Sequence, residues 1–153
     1  MKRLLIPAIA LFSITLLFFG CSNEKAIEKT IGEFEDAVND NNDGNLKDTL
    51  SPDSKLYITQ TFDDFLIYFD GFYPVSYPNL DISVDGDTGD AITVATYYEG
   101  GLNSNIDVQF IMRKEKGFFS FLNPSWKVLE YWDNADGTFQ FIWQKLQMKK
   151  LQQ

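Results

Sequence analysis

Apolar residues recur along this chain with two different periods, and the change between them falls near residue 80. In the first half the spacing is helical. Ile27, Ile31, Phe34 and Val38 stand at i, i+4, i+7 and i+11, which predicts an amphipathic helix over Ser22 to Asn42 with charged residues off the stripe. The run Asn39-Asp40-Asn41-Asn42-Asp43-Gly44 stops it. Asn45 is then expected to cap a short helical piece, Leu46 to Leu50, and Ser51-Pro52 offers a cap followed by proline at a first helical position. Thr61-Phe62-Asp63-Asp64 resembles a capping box and predicts a helix whose apolar face is Phe62, Phe65, Leu66 and Phe69, ending near Gly71.

After Pro74 and Pro78 the period becomes two. Leu80, Ile82 and Val84 alternate with Asp81, Ser83 and Asp85, and Gly86 to Asp90 reads as a turn. Ala91 to Tyr98 predicts a second strand, Gly100-Gly101 a turn, and Ile106, Val108, Phe110 and Met112 a third strand closed by Lys114 to Gly117. Phe118 to Leu122 and Trp126 to Trp132 complete about five strands. In the tail, Phe139, Ile142, Trp143 and Leu146 fit a helix while Phe139, Phe141 and Trp143 fit a strand; both readings stay open for residues 133–153. Helices followed by an antiparallel sheet give an α+β fold, one helical layer on one sheet face.

The start of the chain has its own pattern. Met1-Lys2-Arg3 is followed by an uncharged run from Leu4 to Phe19, then Gly20-Cys21-Ser22, the layout of a secretory signal ending at a small residue. The run is short for a membrane span, which needs about 20 apolar residues. Leu17 to Cys21 resembles the lipobox of bacterial lipoproteins. That resemblance implies a signal peptide over residues 1–20, lipid attachment at Cys21, and one domain over residues 21–153 tethered to a cell-envelope membrane. With Ser22 after the cysteine, it implies the outer membrane in a double-membraned cell.

Composition narrows the chemistry. At 44% hydrophobic and 16% aromatic residues, the chain can build a core. Lys2 and Arg3 belong to the leader, so of 13 basic and 22 acidic residues the remainder keeps 11 and 22. Such a surplus of carboxylates argues against a nucleic-acid partner and against a domain lying flat on anionic lipid. Cys21 is the only cysteine and there is no histidine. A lipidated Cys21 leaves no thiol nucleophile, and the lack of histidine excludes Ser-His-Asp, Cys-His and His-based zinc sites.

Taken in order, the opening helix, the turn-rich break before Leu46 to Leu50, Ser51-Pro52, a further helix, Val84-Asp85-Gly86-Asp87 between strands and Trp126-Lys127-Val128 resemble the nuclear transport factor two-like superfamily over roughly residues 24–132. The resemblance implies a cone, in which a strongly bent sheet wraps the helices and leaves a pocket at the open end, and it implies a homodimer through the open sheet face. Related isomerases use a buried acid and a tyrosine in that pocket. Tyr57, Tyr97, Tyr98, Glu99 and Asp107 supply those residue types, but no motif assigns a catalytic role to any of them, and Asp107 is expected in solvent.

Two stretches, Asn39 to Gly44 and Asp81 to Gly86, imitate the start of a calcium loop. Position 12 is Leu50 in one and Ile92 in the other, where a bidentate glutamate is required, so both are expected to be turns; no metal or cofactor is expected. Aromatic residues are the stronger lead. Phe62, Phe65, Phe69, Tyr97 and Trp126, with Tyr57, are expected near the interior, either as core or as the lining of a site for a small apolar ligand. The expected role is a non-enzymatic binding module of the cell envelope with a protein partner or ligand; the alternative is a small-molecule enzyme or carrier.

Overall fold

The computed structural model describes residues 23–70, 72, 74–116 and 125–152. Its first helix, α1, spans 23–39, and Ile27, Ile31, Phe34 and Val38 are all buried, as their spacing predicts. Asn41 takes a left-handed conformation with φ 51°, and the Asn42 amide donates back to the Ala37 carbonyl at 2.8 Å, which closes the helix end. The next helix begins at once. The expectation that Asn45 caps it is corrected: the Asn42 side chain accepts from the Asn45 amide, and α2 is Asp43–Thr49. One asparagine thus ends α1 and starts α2.

Ser51-Pro52 does not open a helix either. The Ser51 amide donates to Val128 O at 2.8 Å, and Ser54 caps a single 3-10 turn, Lys55–Tyr57. The third helix, α3, is Thr59–Phe69 and starts two residues before the expected capping box, with no side-chain cap at Ile58. Thr61 is buried, and Asp64 turns to Lys150 at 2.5 Å. Phe62, Phe65 and Phe69 are buried on one face as expected, and Leu66 packs beside them partly buried.

Among the described residues the sheet has six strands. These are β1 Val75–Ser76, β2 Asp81–Asp85, β3 Thr88–Glu99, β4 Leu102–Lys114, β5 Trp126–Asp133 and β6 Gln140–Phe141. Their order is β1-β3-β4-β5-β6, with β2 also paired to β3, and every pairing is antiparallel. Between β2 and β3 the turn is tighter than the sequence suggested, with Asp85 opposite Thr88 and Gly86 at φ 60°. Gly100 and Gly101, both at positive φ (58° and 92°), turn the β3–β4 hairpin, the geometry that matches strand twist in a two-residue loop. The expected strand Phe118 to Leu122 lies outside the described residues. The tail resolves as both of its readings in succession: β6 pairs with β5, then α4 runs Ile142–Leu151.

Helices α1 and α3 fill the concave side of this curved antiparallel sheet, so the fold is α+β as read from the sequence. The concave face of β3 and β4 carries Ala91, Ala95, Val108, Phe110 and Met112, all buried. Gly89 lies where α1 presses closest. A Cβ there would come within 2.8 Å of Ile27 Cδ1. Two seryl contacts seal β5, Ser51 on Val128 and the Ser54 hydroxyl on Leu129 O at 2.6 Å.

Candidate functional site

Between the helices and the concave face of the sheet, this chain packs rings. Phe34 projects from α1 onto Phe110 at 5.4 Å between centroids, Phe69 at 5.8 Å, Tyr131 at 5.9 Å, Tyr77 at 6.0 Å and Phe65 at 6.1 Å. Most of these contacts are edge-on, the geometry favoured by ring quadrupoles. Phe34, Phe65 and Phe110 are wholly buried. Two hydroxyls lie inside this cluster, Tyr77 and Tyr131, 3.3 Å apart. Burial holds the Tyr77 hydroxyl well above the usual tyrosine range, with Tyr131 adding to it. Burial also raises Tyr131, and the hydrogen bond from Tyr77 offsets part of that rise.

At the rim of the cluster stands a buried charge. Asp133, the last residue of β5, is fully buried. Its Oδ2 accepts from the Tyr68 hydroxyl at 2.5 Å, and its Oδ1 accepts from Lys145 Nζ at 2.8 Å and from the Ala135 amide at 2.9 Å. Lys145 also reaches Asp136 at 2.9 Å. Burial alone would lower the Lys145 pKa, but the two carboxylates outweigh it and hold the ammonium above its ordinary value. Burial, then the charges of Tyr131 and Asp133, push Tyr68 far above the tyrosine range. A groove of about 490 Å³ borders this cluster, lined by Tyr68, Phe72, Ile142, Lys145 and Leu146 among others. Because α4 supplies Lys145, Ile142 and Leu146, this helix closes over the cone mouth.

The convex side of the sheet is different. Ile92, Val94 and Tyr98 point outward from β3, about half exposed, and Phe139 joins them across β4. Ile92, Val94 and Phe139 border a groove of about 660 Å³ that also meets Pro78, Asn105 and Asp107. Asp107 is exposed, as its alternation with Ile106 and Val108 predicts, and is tied to Asn134.

The sequence-predicted aromatic residues therefore separate. Phe65 and Phe69 meet in the ring cluster at 5.0 Å. Tyr97 is half-buried and touches Phe72 at 4.7 Å, which in turn touches Tyr68 at 5.0 Å. Trp126 is buried at the opposite end of β5 from Asp133, against Gly89, with its indole N–H on Asn23 at 3.4 Å. Tyr57 is exposed beside the Lys47 ammonium, 5.1 Å from the ring centroid, and Lys47 lies equally close to Phe62. Tyr98 and Glu99 lie at the β3–β4 turn. Cys21 lies outside the described residues. Of the two calcium-like stretches, the first commits Asn39 to both polar backbone atoms of Val75 and Asn42 to capping α2; the second is β2 and its hairpin turn. Among the described residues no three acidic side chains converge as a metal would require.

Tyr68, Tyr77, Tyr131, Asp133 and Lys145 were not singled out from the sequence. The available signal was Asp133 itself, an acid two residues beyond Tyr131 on a strand that begins Trp126-Lys127-Val128.

No family model matches the sequence, and the comparison with curated proteins gives no match. Among solved structures, the chain is similar to a ketosteroid isomerase-like protein of Shewanella frigidimarina. The TM-score is 0.52 at 12% identity, over 69% of this chain and 92% of that one. At that identity the likeness establishes the cone fold and nothing of the chemistry.

Proposed function

We propose, from a cone fold shared with a ketosteroid isomerase-like protein, that this chain is a binding module that works through its surface. In this reading residues 1–20 are a signal peptide, Cys21 carries lipid, and residues 21–153 form one domain held at a cell-envelope membrane. The Met1 to Ser22 pattern supports the anchor, and acyl chains at ~0.8 kcal/mol per buried methylene would hold it there. No described helix is long and apolar enough to cross a membrane. One observation carries the choice of surface over cavity: Phe34 is in ring contact with five neighbours where a ligand would sit.

Two measurements test this. Radiolabelled palmitate should enter the wild-type chain and not Cys21→Ser, and an unlabelled wild type would remove the anchor. Titrating xenon and then a steroid should leave the NMR signals of Phe34 and Tyr131 unmoved, whereas saturable shifts there would replace the surface reading with a cavity.

A second reading rests on Tyr68 and Asp133. A carboxylate base beside a tyrosine donor is a known acid–base pairing, and the groove at the cone mouth borders both. Against it, the Asp133 oxygens already hold Tyr68, Lys145 and Ala135, so substrate access requires Lys145 and α4 to move away. Turnover that is lost in Asp133→Asn and Tyr68→Phe would establish this reading.

A further inference from the structure

We infer that the convex sheet face around Ile92, Val94 and Tyr98 docks a polypeptide whose apolar side chains are flanked by lysine or arginine. The inference rests on the surface-binding reading and adds the place and the partner's chemistry.

The face is apolar at its centre and acidic around it. Ile92 is 47% and Val94 49% exposed, and Phe139 is 42% exposed across the groove. Residues opposite one another on neighbouring antiparallel strands share a face. By register Asp81 stands beside Ile92 and Asp107 beside Val94, while Asp90 precedes Ile92 by two positions on the same side. The cations of this face, Arg113 and Lys127, lie toward its other end. They are engaged there, Arg113 with Asp53 at 3.2 Å and Lys127 with the Asp48 carbonyl.

Three occupants compete for such a surface, and the charges and the tether separate them. A second copy would set the same carboxylates against each other, in a chain of formal net charge −9, and like charges across an interface cost affinity. A bilayer is badly placed. Asn23, two residues after Cys21, bonds to Trp126, which pairs with Lys114 at the end of the sheet where Arg113 meets Thr88. At ~3.3 Å per residue, Val94 and Tyr98 lie about 20 and 33 Å farther along β3. An anchor at Cys21 therefore keeps the opposite end of the sheet at the membrane. A polypeptide with apolar residues for Ile92 and Val94 and cations for Asp81 and Asp107 satisfies both features.

The test uses the full-length chain in its own host, with photoreactive benzoylphenylalanine replacing Val94 and, as control, Glu28 on α1. Irradiation should give a discrete adduct at position 94 alone. Its cross-linked peptide, sequenced by mass spectrometry, should belong to a different protein and carry lysine or arginine beside apolar residues. Asp81→Lys with Asp107→Lys should lower the yield at least ten-fold. Asp81→Lys alone, at the exposed edge strand, should lower it several-fold and serves where the double variant does not fold. An adduct with a second copy or with lipid, a contact peptide without basic residues, a yield unmoved by charge reversal, or no adduct above the Glu28 level overturns the inference. Failure of the underlying reading appears elsewhere, as ligand-induced shifts at Phe34 and Tyr131.

Discussion

The two faces of the β3–β4 hairpin are made by alternate residues of the same strands, yet they end in opposite states. Inward, Ala91, Ala95, Val108, Phe110 and Met112 are buried beneath helices that add Phe34, Phe65 and Phe69. Outward, Ile92, Val94 and Tyr98 stay half exposed among carboxylates. The inner face has used its apolar surface on its own chain. The outer face has not, and that difference is what supports the proposed surface role. Fold likeness alone leaves a surface binder and a cone with a working cavity equivalent.

Removing the centre of the inner face gives the largest expected effect. Phe34→Ala withdraws the ring that five others contact, and about 3–5 kcal/mol of stability should be lost in urea unfolding. A loss below 1 kcal/mol would mean that the cluster is loosely packed. Next comes the cone mouth. Lys145→Met leaves the fully buried Asp133 without its cation, so a loss of about 3 kcal/mol is expected. Asp133→Asn, which removes the buried charge, keeps Oδ1 for the Ala135 amide and can donate its new amide to the Tyr68 hydroxyl oxygen, should cost less. Hydrogen exchange should show the change first in α4, which rests on few buried side chains, Ile142 and Leu146.

Alkali should act on the same region. The hydroxyls of Tyr68, Tyr77 and Tyr131 have folded pKa values above their unfolded value near 10. Above pH 10 the unfolded chain releases these protons while the folded chain retains them, so stability falls as pH rises, by up to about 1.4 kcal/mol per pH unit for each. The raised Lys145 contributes with the same sign: its ion pairs are intact below its unfolded pKa and are lost as pH climbs through the folded one. Denaturant midpoints between pH 8 and 11 should be flat and then drop steeply; a flat profile to pH 11 would show the hydroxyls reaching solvent. The inner face gives a smaller effect at Gly89, where alanine must displace Ile27 and should cost about 1–2 kcal/mol. The smallest effect belongs outside. Val94→Thr should change stability by no more than about 0.5 kcal/mol, and a larger loss would mean that this face already packs within the chain.

Where one local rule decided the outcome, the sequence was legible. The Ile27-Ile31-Phe34-Val38 stripe, the glycine turn at residues 100–101 and the alternation through Met112 all appear as read. Helix starts were read less well because several caps compete within a few residues. Asn42 rather than Asn45 caps α2, and α3 begins without a side-chain cap. Asp133 was hidden by a bulge. Alternation from Trp126 and Val128 places Glu130 and Trp132 inward, but the register shifts between Ile111 and Met112, one residue of β5 goes unpaired, and Tyr131 and Asp133 turn into the core instead. Its partner Lys145 sits on a helix whose period was blurred by the adjoining strand β6. The filled interior was left open because ring spacing on α3 fits a core and a pocket lining equally well.

Native mass spectrometry of protein purified from its own host tests the central claim most directly. The account predicts the acylated chain, alone or with a protein partner, and no small molecule in stoichiometric amount. A compound of a few hundred daltons retained one-to-one and released only on unfolding would contradict it.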